Sequence, residues 1–199
     1  MKAAVIYING LGAGNTRLQE RLGAWWWRRK GVYFEHYPIN WYKETRFEPV
    51  VNGLVATASR LVEEYDKVLL LGFSAGGSIA VHAMLQCKSS NVYAISCHAR
   101  LRVGNAAHLK RRAHINSSRP APAFYQSVEH LDATLSQLTM EQKKHILILT
   151  QLTDLVVPVR LMRLSGVATH RSFAFGHSGG FIAHMFTDRN LILRYLHKQ

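Results

Sequence analysis

The segment from Lys67 to His82 constrains this chain more than any other. Lys67-Val68-Leu69-Leu70-Leu71 is an apolar run of strand length that passes directly into Gly72-Phe73-Ser74-Ala75-Gly76-Gly77, and the residues from Ser78 to His82 continue with helical character. A serine at such a strand-to-helix turn needs small neighbours at Gly72 and Gly76, because the backbone is tight and strained there while the hydroxyl projects above the sheet. The N-terminus of the following helix aims free N–H groups at incoming negative charge. On its own the pattern also describes a glycine-rich turn with no chemical task. The rest of the chain has to decide.

Short β-branched apolar runs alternate with longer amphipathic segments, which predicts βα units around a mostly parallel sheet covered on both faces. The expected strands are Ala3 to Ile8, Val32 to Tyr37, Lys67 to Leu71, Val92 to Ser96, Ile146 to Thr150 and Ala168 to Phe173, six in all. Helices are expected at Arg17 to Arg29, Phe47 to Tyr65, Gly76 to Gln86, Ala123 to Leu138, Val159 to Leu164 and Gly180 to His197. The connection from His98 to Pro122 holds Gly104, Asn105, Asn116, Pro120 and Pro122 with little helical period, so it is expected to be a loop or a minimal cap.

With 199 residues, an apolar fraction of 48% and no repeat, residues 1–199 are expected to form a single α/β domain. No apolar stretch approaches the roughly 18 residues of a membrane span. Met1-Lys2 and Ala3 to Ile8 imitate the charged and apolar parts of a signal peptide, but the run stops at Asn9-Gly10, which fits a strand. Two cysteines, Cys87 and Cys97, give no disulfide framework and no zinc-site spacing, so no metal or cofactor is expected and a cytoplasmic setting fits.

A nucleophilic Ser74 would need an acid and a histidine in the order Ser, Asp or Glu, His, each delivered from the end of a later strand. Strand Ile146 to Thr150 is followed by Gln151-Leu152-Thr153-Asp154-Leu155-Val156-Val157-Pro158, and strand Ala168 to Phe173 by Ala174-Phe175-Gly176-His177-Ser178-Gly179-Gly180. Both requirements are met in order. The other aspartates are Asp66, Asp132 and Asp188, and among the 11 histidines His184 is the rival base, whereas His82 is expected simply to pack on the helix after Ser74.

These three motifs, GFSAGG, TDLVVP and GHSGG, resemble the α/β-hydrolase superfamily, in a small and essentially capless form. The resemblance implies the α/β-hydrolase fold, with Ser74 as nucleophile at the nucleophile elbow, Asp154 as acid and His177 as base of a catalytic triad. It implies a serine esterase or thioesterase working through an acyl-enzyme. An oxyanion hole would combine the backbone N–H of Ala75 with that of Leu11, although many family members have His-Gly where this chain has Asn9-Gly10. Gly10, Phe73, Trp41 and His98 are candidates for substrate contact at the same edge.

Other features point elsewhere. Gly10 and Gly12 after the first strand imitate a dinucleotide-binding turn, but the third glycine would fall at Asn15, so the fingerprint is incomplete. Consecutive Trp25-Trp26-Trp27 on a helix cannot all face inward, so one should reach the surface, a dimer contact or a lipid edge. The net charge of +13 predicts anionic partners, and Arg100, Arg102, Lys110, Arg111, Arg112 and Arg119 crowd the segment 98–119. An anionic ester substrate or a peripheral membrane surface would suit this basic protein; no nucleic-acid module accompanies the charge. The competing reading is a non-catalytic binding protein of the same fold for an anionic partner.

Overall fold

In a computed structural model the apolar runs form one sheet of 6 parallel strands in the order β2-β1-β3-β4-β5-β6. The structure describes residues 2–11, 16–104, 120–177 and 188–198. The strands are β1 (Ala3–Ile8), β2 (Tyr33–Tyr37), β3 (Lys67–Phe73), β4 (Val92–Cys97), β5 (Ile146–Thr153) and β6 (Ala168–Phe175). The central runs are buried on both faces, which explains why they read as continuous rather than alternating hydrophobic segments.

The helices are α1 (Thr16–Arg28), α2 (Glu48–Leu61), α3 (Ala75–Gln86), α4 (Pro122–Thr134), α5 (Met140–Lys144) and α6 (Arg189–Lys198). Ile6, Ile8, Leu70 and Ile148 face one layer of the core, shared with Val51 and Leu54 of α2, Ile79 of α3 and Val128 of α4. Val5, Leu69, Ile95 and Leu149 face the other, shared with Trp27 of α1 and with Ile192 and Leu196 of α6. Helix α3 is buried from Ala75 to Met84 because it lies at the centre of the sheet, under α2 and α4.

The chain leaves β1 toward β2 on one side and crosses to β3 on the other, so the β1/β3 boundary is a topological switch point, where the C-terminal strand ends open into a crevice. Ser74 follows β3, Asn9 and Gly10 follow β1, Asp154 follows β5, and His177 follows β6 with Gly176 between. All these loops emerge at one edge.

Several expected elements differ in extent. The helix expected from Val159 to Leu164 is a single 3₁₀ turn, Val159–Leu161, after which Gly166, with φ of 76°, turns the chain back to β6. Helix α2 stops at Leu61 rather than Tyr65, and α4 gives way at Thr134 to a 3₁₀ turn, Leu135–Gln137. Helix α5 was not expected; Thr139 and Gln142 cap it reciprocally, a T-x-x-Q signal present in the sequence. The terminal helix is described only from Arg189, and residues 105–119 of the long connection lie outside the described residues. No cap domain occurs among the described residues, and none of their helices is long and apolar enough to cross a membrane.

Of the three consecutive tryptophans, Trp27 is fully buried, Trp26 half-buried under the Arg189 guanidinium, and Trp25 exposed beneath Arg29. The helical arc of three successive residues demands this spread. Cys87 and Cys97 are both free thiols.

Candidate active site

Ser74 sits in a backbone conformation that only a closely determined turn maintains: φ is 51° and ψ is −117°. Its N–H donates to the Cys97 carbonyl at 2.9 Å and its carbonyl accepts from Gly77 at 3.1 Å, so the turn is tied to β4 on one side and to α3 on the other. A Cβ on Gly72 would collide with the backbone of Gly76 and Gly77, and one on Gly76 would meet the Ile8 carbonyl at 2.5 Å. The two glycines let strand, turn and helix approach closely enough to lift Ser74 into the crevice.

His177 Nε2 is 2.8 Å from Ser74 Oγ, and His177 Nδ1 is 2.8 Å from Asp154 Oδ2. The side chain of Asp154 is fully buried, while that of His177 keeps 16% exposure, enough to open the serine end of the chain to the crevice. Asp154 Oδ1 accepts the N–H groups of Val156 and Val157 at 2.7 and 2.9 Å, and Oδ2 also accepts from Gln151 Nε2 at 2.8 Å. Burial pushes the Asp154 carboxyl up, but the hydrogen bond and charge of His177, together with those two N–H groups, outweigh it and hold the group below its ordinary value. Asp154 is therefore an ionised, four-times-bonded acceptor, which fixes Nδ1 of His177 as the protonated nitrogen and leaves Nε2 to accept from Ser74.

The bases of these loops are joined. A register shift between Gln151 and Thr153 lets Thr153 pair with Phe175, and Gly176 N–H donates to the Thr153 carbonyl at 3.2 Å. The irregularity at the end of β5 thus sets the spacing between the loop of Asp154 and that of His177. Two of the other aspartates are engaged elsewhere: Asp66 accepts the Lys2 N–H, and Asp132 meets Arg102 and the Val103 N–H.

The first loop is anchored by Asn9. Its Oδ1 accepts the Ile39 N–H at 2.7 Å, and its Nδ2 donates to the Ile39 carbonyl at 3.1 Å and the Gly10 carbonyl at 3.2 Å. Because a trans peptide points its C=O and N–H in opposite directions, the grip on the Gly10 carbonyl turns the Leu11 N–H away from Asn9. Tyr42 Oη holds the Leu11 carbonyl at 3.0 Å. Ala75 opens α3, where a backbone N–H has no carbonyl one turn back to bond.

The candidates for substrate contact occupy different positions. Gly10 is buried against Ser74, and Phe73 is half-buried with its ring 5.4 Å from that of His177. Trp41 is 1% exposed and donates its indole N–H to the Asn9 carbonyl at 3.1 Å, which makes it a support of the loop rather than a wall of the crevice. His98 is also fully buried, with φ of 52°; its Nδ1 lies 3.9 Å from Asp154 Oδ2 and its ring 6.1 Å from that of His177. It stands behind the acid instead of at the mouth. His82 packs as expected, bonding the Ser127 carbonyl at 2.8 Å, and His184 lies outside the described residues. Of the basic segment, Arg100 is buried and donates to the Arg102 and Val103 carbonyls, so it adds nothing to a solvated rim.

Asn9 and Gln151 were not singled out from the sequence. Asn9 carried a signal, since it stands where many members of the family that the sequence resembles have histidine; Gln151 carried none, because an amide at the end of a strand has many uses.

The sequence matches no protein-family model and none of the curated proteins. Solved structures do match. An esterase from Exiguobacterium antarcticum is 16% identical over 98% of this chain and 91% of its own, with a TM-score of 0.63. MGS-MChE2, an alpha/beta hydrolase enzyme from a sediment metagenome of the Mar Chica lagoon, Morocco, is 16% identical over 100% and 92%, with a TM-score of 0.60. Human thioesterase 2 is 14% identical over 99% and 97%, also with a TM-score of 0.60. At such identities the likeness is one of fold.

Proposed function

On the premise of this α/β-hydrolase fold, we propose that the chain is a single-domain serine hydrolase that cleaves a carboxylic ester or thioester. One observation carries the reading: an unbroken hydrogen-bonded chain from Ser74 Oγ through His177 to a buried Asp154. The neighbours named as esterase and thioesterase support hydrolysis of that bond type.

In the proposed reaction His177 Nε2 takes the Ser74 proton as Oγ attacks the substrate carbonyl, and the tetrahedral oxyanion is received by the N–H groups of Leu11 and Ala75. His177 then gives the proton to the leaving alcohol or thiol. Water, deprotonated by the same nitrogen, releases the acid from Ser74. Asp154 keeps the imidazole in one tautomer and stabilises the imidazolium without taking the proton itself. The half-buried Phe73 forms part of the wall beside the reacting carbonyl, and no metal or cofactor enters any step. The free thiols of Cys87 and Cys97 suit a reducing compartment such as the cytoplasm.

The test is a panel of p-nitrophenyl esters and acyl thioesters of graded chain length, run on the wild type and on Ser74→Ala. Turnover that falls by roughly 10⁴-fold or more in a folded variant supports the reading. Equal turnover by both proteins overturns it.

A further inference from the structure

Away from Ser74, four arginines surround one open depression of about 670 Å³: Arg102, Arg160, Arg163 and Arg171, over a floor that includes Val159 and Leu164. We propose that this depression binds a phosphate-type dianion, carried by a phosphomonoester. The site is independent of the hydrolase reading.

The frame of the depression is held by backbone rather than by mobile loops. The N–H groups of Leu101 and Arg102 both donate to the Leu161 carbonyl, at 2.9 and 3.2 Å, which fastens the chain carrying Arg102 to the 3₁₀ turn carrying Arg160. Arg171 projects from β6, where it pairs with Thr150 of β5, and one of its guanidinium nitrogens donates to the Leu152 carbonyl at 3.1 Å. A guanidinium fastened at one corner keeps its remaining N–H groups in a set direction.

Charge balance then points to the ligand. Arg102 meets the Asp132 carboxylate at 3.3 Å, but among the described residues no carboxylate lies within ion-pair distance of Arg160, Arg163 or Arg171. Three uncompensated cations sharing one concavity repel one another, and an anion between them relieves that repulsion. A carboxylate carries one charge and two acceptor oxygens, which a single guanidinium fork satisfies. A phosphomonoester carries close to two charges and three terminal oxygens, which several forks share. Ser165, also on the rim, adds a neutral hydroxyl donor. The aliphatic floor leaves room for the ester's carbon skeleton.

The test measures binding by calorimetry at fixed ionic strength, with inorganic phosphate, with glycerol 3-phosphate, and with vesicles of phosphatidylcholine with or without phosphatidic acid. The proteins are wild type, Arg160→Gln/Arg163→Gln, and Lys30→Gln/Lys88→Gln, which removes the same charge from exposed sites elsewhere; circular dichroism confirms that each is folded. Wild-type binding of phosphate or glycerol 3-phosphate that weakens roughly tenfold or more in the arginine variant, and not in the lysine variant, supports a site for a soluble phosphomonoester. The same pattern seen only with phosphatidic acid vesicles supports the site with a lipid headgroup as the source. No binding by the wild type to any of these probes, or equal weakening in both variants, overturns the proposal.

Discussion

Asn9 grips Ile39 through both ends of its side-chain amide, accepting at 2.7 Å and donating at 3.1 Å, as a neighbouring strand would. This pairing ties the loop after β1 to the loop after β2, and the same amide nitrogen orients the Gly10–Leu11 peptide. Asn9→Ala leaves the N–H and C=O of Ile39 buried without partners, so unfolding free energy should drop on the order of 2–4 kcal/mol in urea titrations. Because the Leu11 N–H loses its orientation, kcat should fall more than KM rises. A variant destabilised to this extent but with unchanged kcat would separate Asn9 from the oxyanion.

Gly10 stands so close to the serine that a Cβ added to it would lie 2.9 Å from Ser74 Cβ and 3.2 Å from the Phe73 carbonyl. Gly10→Ala should therefore displace the serine by a few tenths of an ångström. The predicted consequence is a folded protein with kcat reduced roughly 10-fold to 100-fold, since small misplacements of a reacting atom are costly. Gly72→Ala is the harsher change: its methyl meets backbone that cannot step aside, and loss of soluble folded protein is expected on expression.

Gln151 is buried and donates to the Asp154 oxygen that faces His177. Gln151→Met keeps the volume and removes the donor, so kcat should fall roughly 10-fold to 100-fold with KM little changed, the equivalent of one charge-assisted hydrogen bond. Asp154→Asn should cost far more, roughly 10⁴-fold, because an amide can present an N–H to His177 and reverse its tautomer. Steady-state kinetics on both variants check the order; a Gln151 variant as impaired as Asp154→Asn would contradict it.

The positions of the strands along the chain and the three motif loops were legible because they depend on local chemistry. A buried parallel strand must be continuously apolar, and the turn at Gly72 and Gly76 tolerates no larger residue. What escaped the sequence was contact between distant loops. Trp41 and His98 follow strands that end at the crevice, yet which way such a side chain turns depends on partners 32 residues away at Asn9 for Trp41, and on the Asp154 loop for His98. Helix lengths escaped for a related reason: Val62, Tyr65, Leu135 and Leu138 still pack against the core, so the apolar spacing runs on past Leu61 and Thr134 although the α-helices give way to turns there. The short α5 was announced only by its caps, Thr139 and Gln142.

Stability should depend on pH through His82. Burial pushes its imidazole down to about 4, with a contribution from nearby His130 set against the bond to the Ser127 carbonyl. Between that value and the ordinary one of 6.5, the unfolded chain binds a proton that the folded chain refuses, so stability contributed by neutral His82 is lost as pH falls through that window. From pH 7 to 5 the loss due to this residue should be roughly 2 kcal/mol. Asp154, held below its ordinary value, contributes stability that disappears only at lower pH, so the two windows separate. Denaturation at pH 7 and pH 5 of the wild type and of His82→Gln, which can still donate to Ser127, isolates the effect: the variant should show the shallower pH dependence, and identical slopes would contradict the assignment.

The most direct measurement of the central claim is covalent. A fluorophosphonate reacts with a serine only where a base activates its hydroxyl and donors receive the developing negative charge. Incubation with such a probe, followed by digestion and mass spectrometry, should place a single stoichiometric adduct on the peptide containing Ser74, absent from Ser74→Ala and strongly slowed in His177→Ala. Folded protein that acquires no label at Ser74, or that labels equally well without His177, would contradict the account.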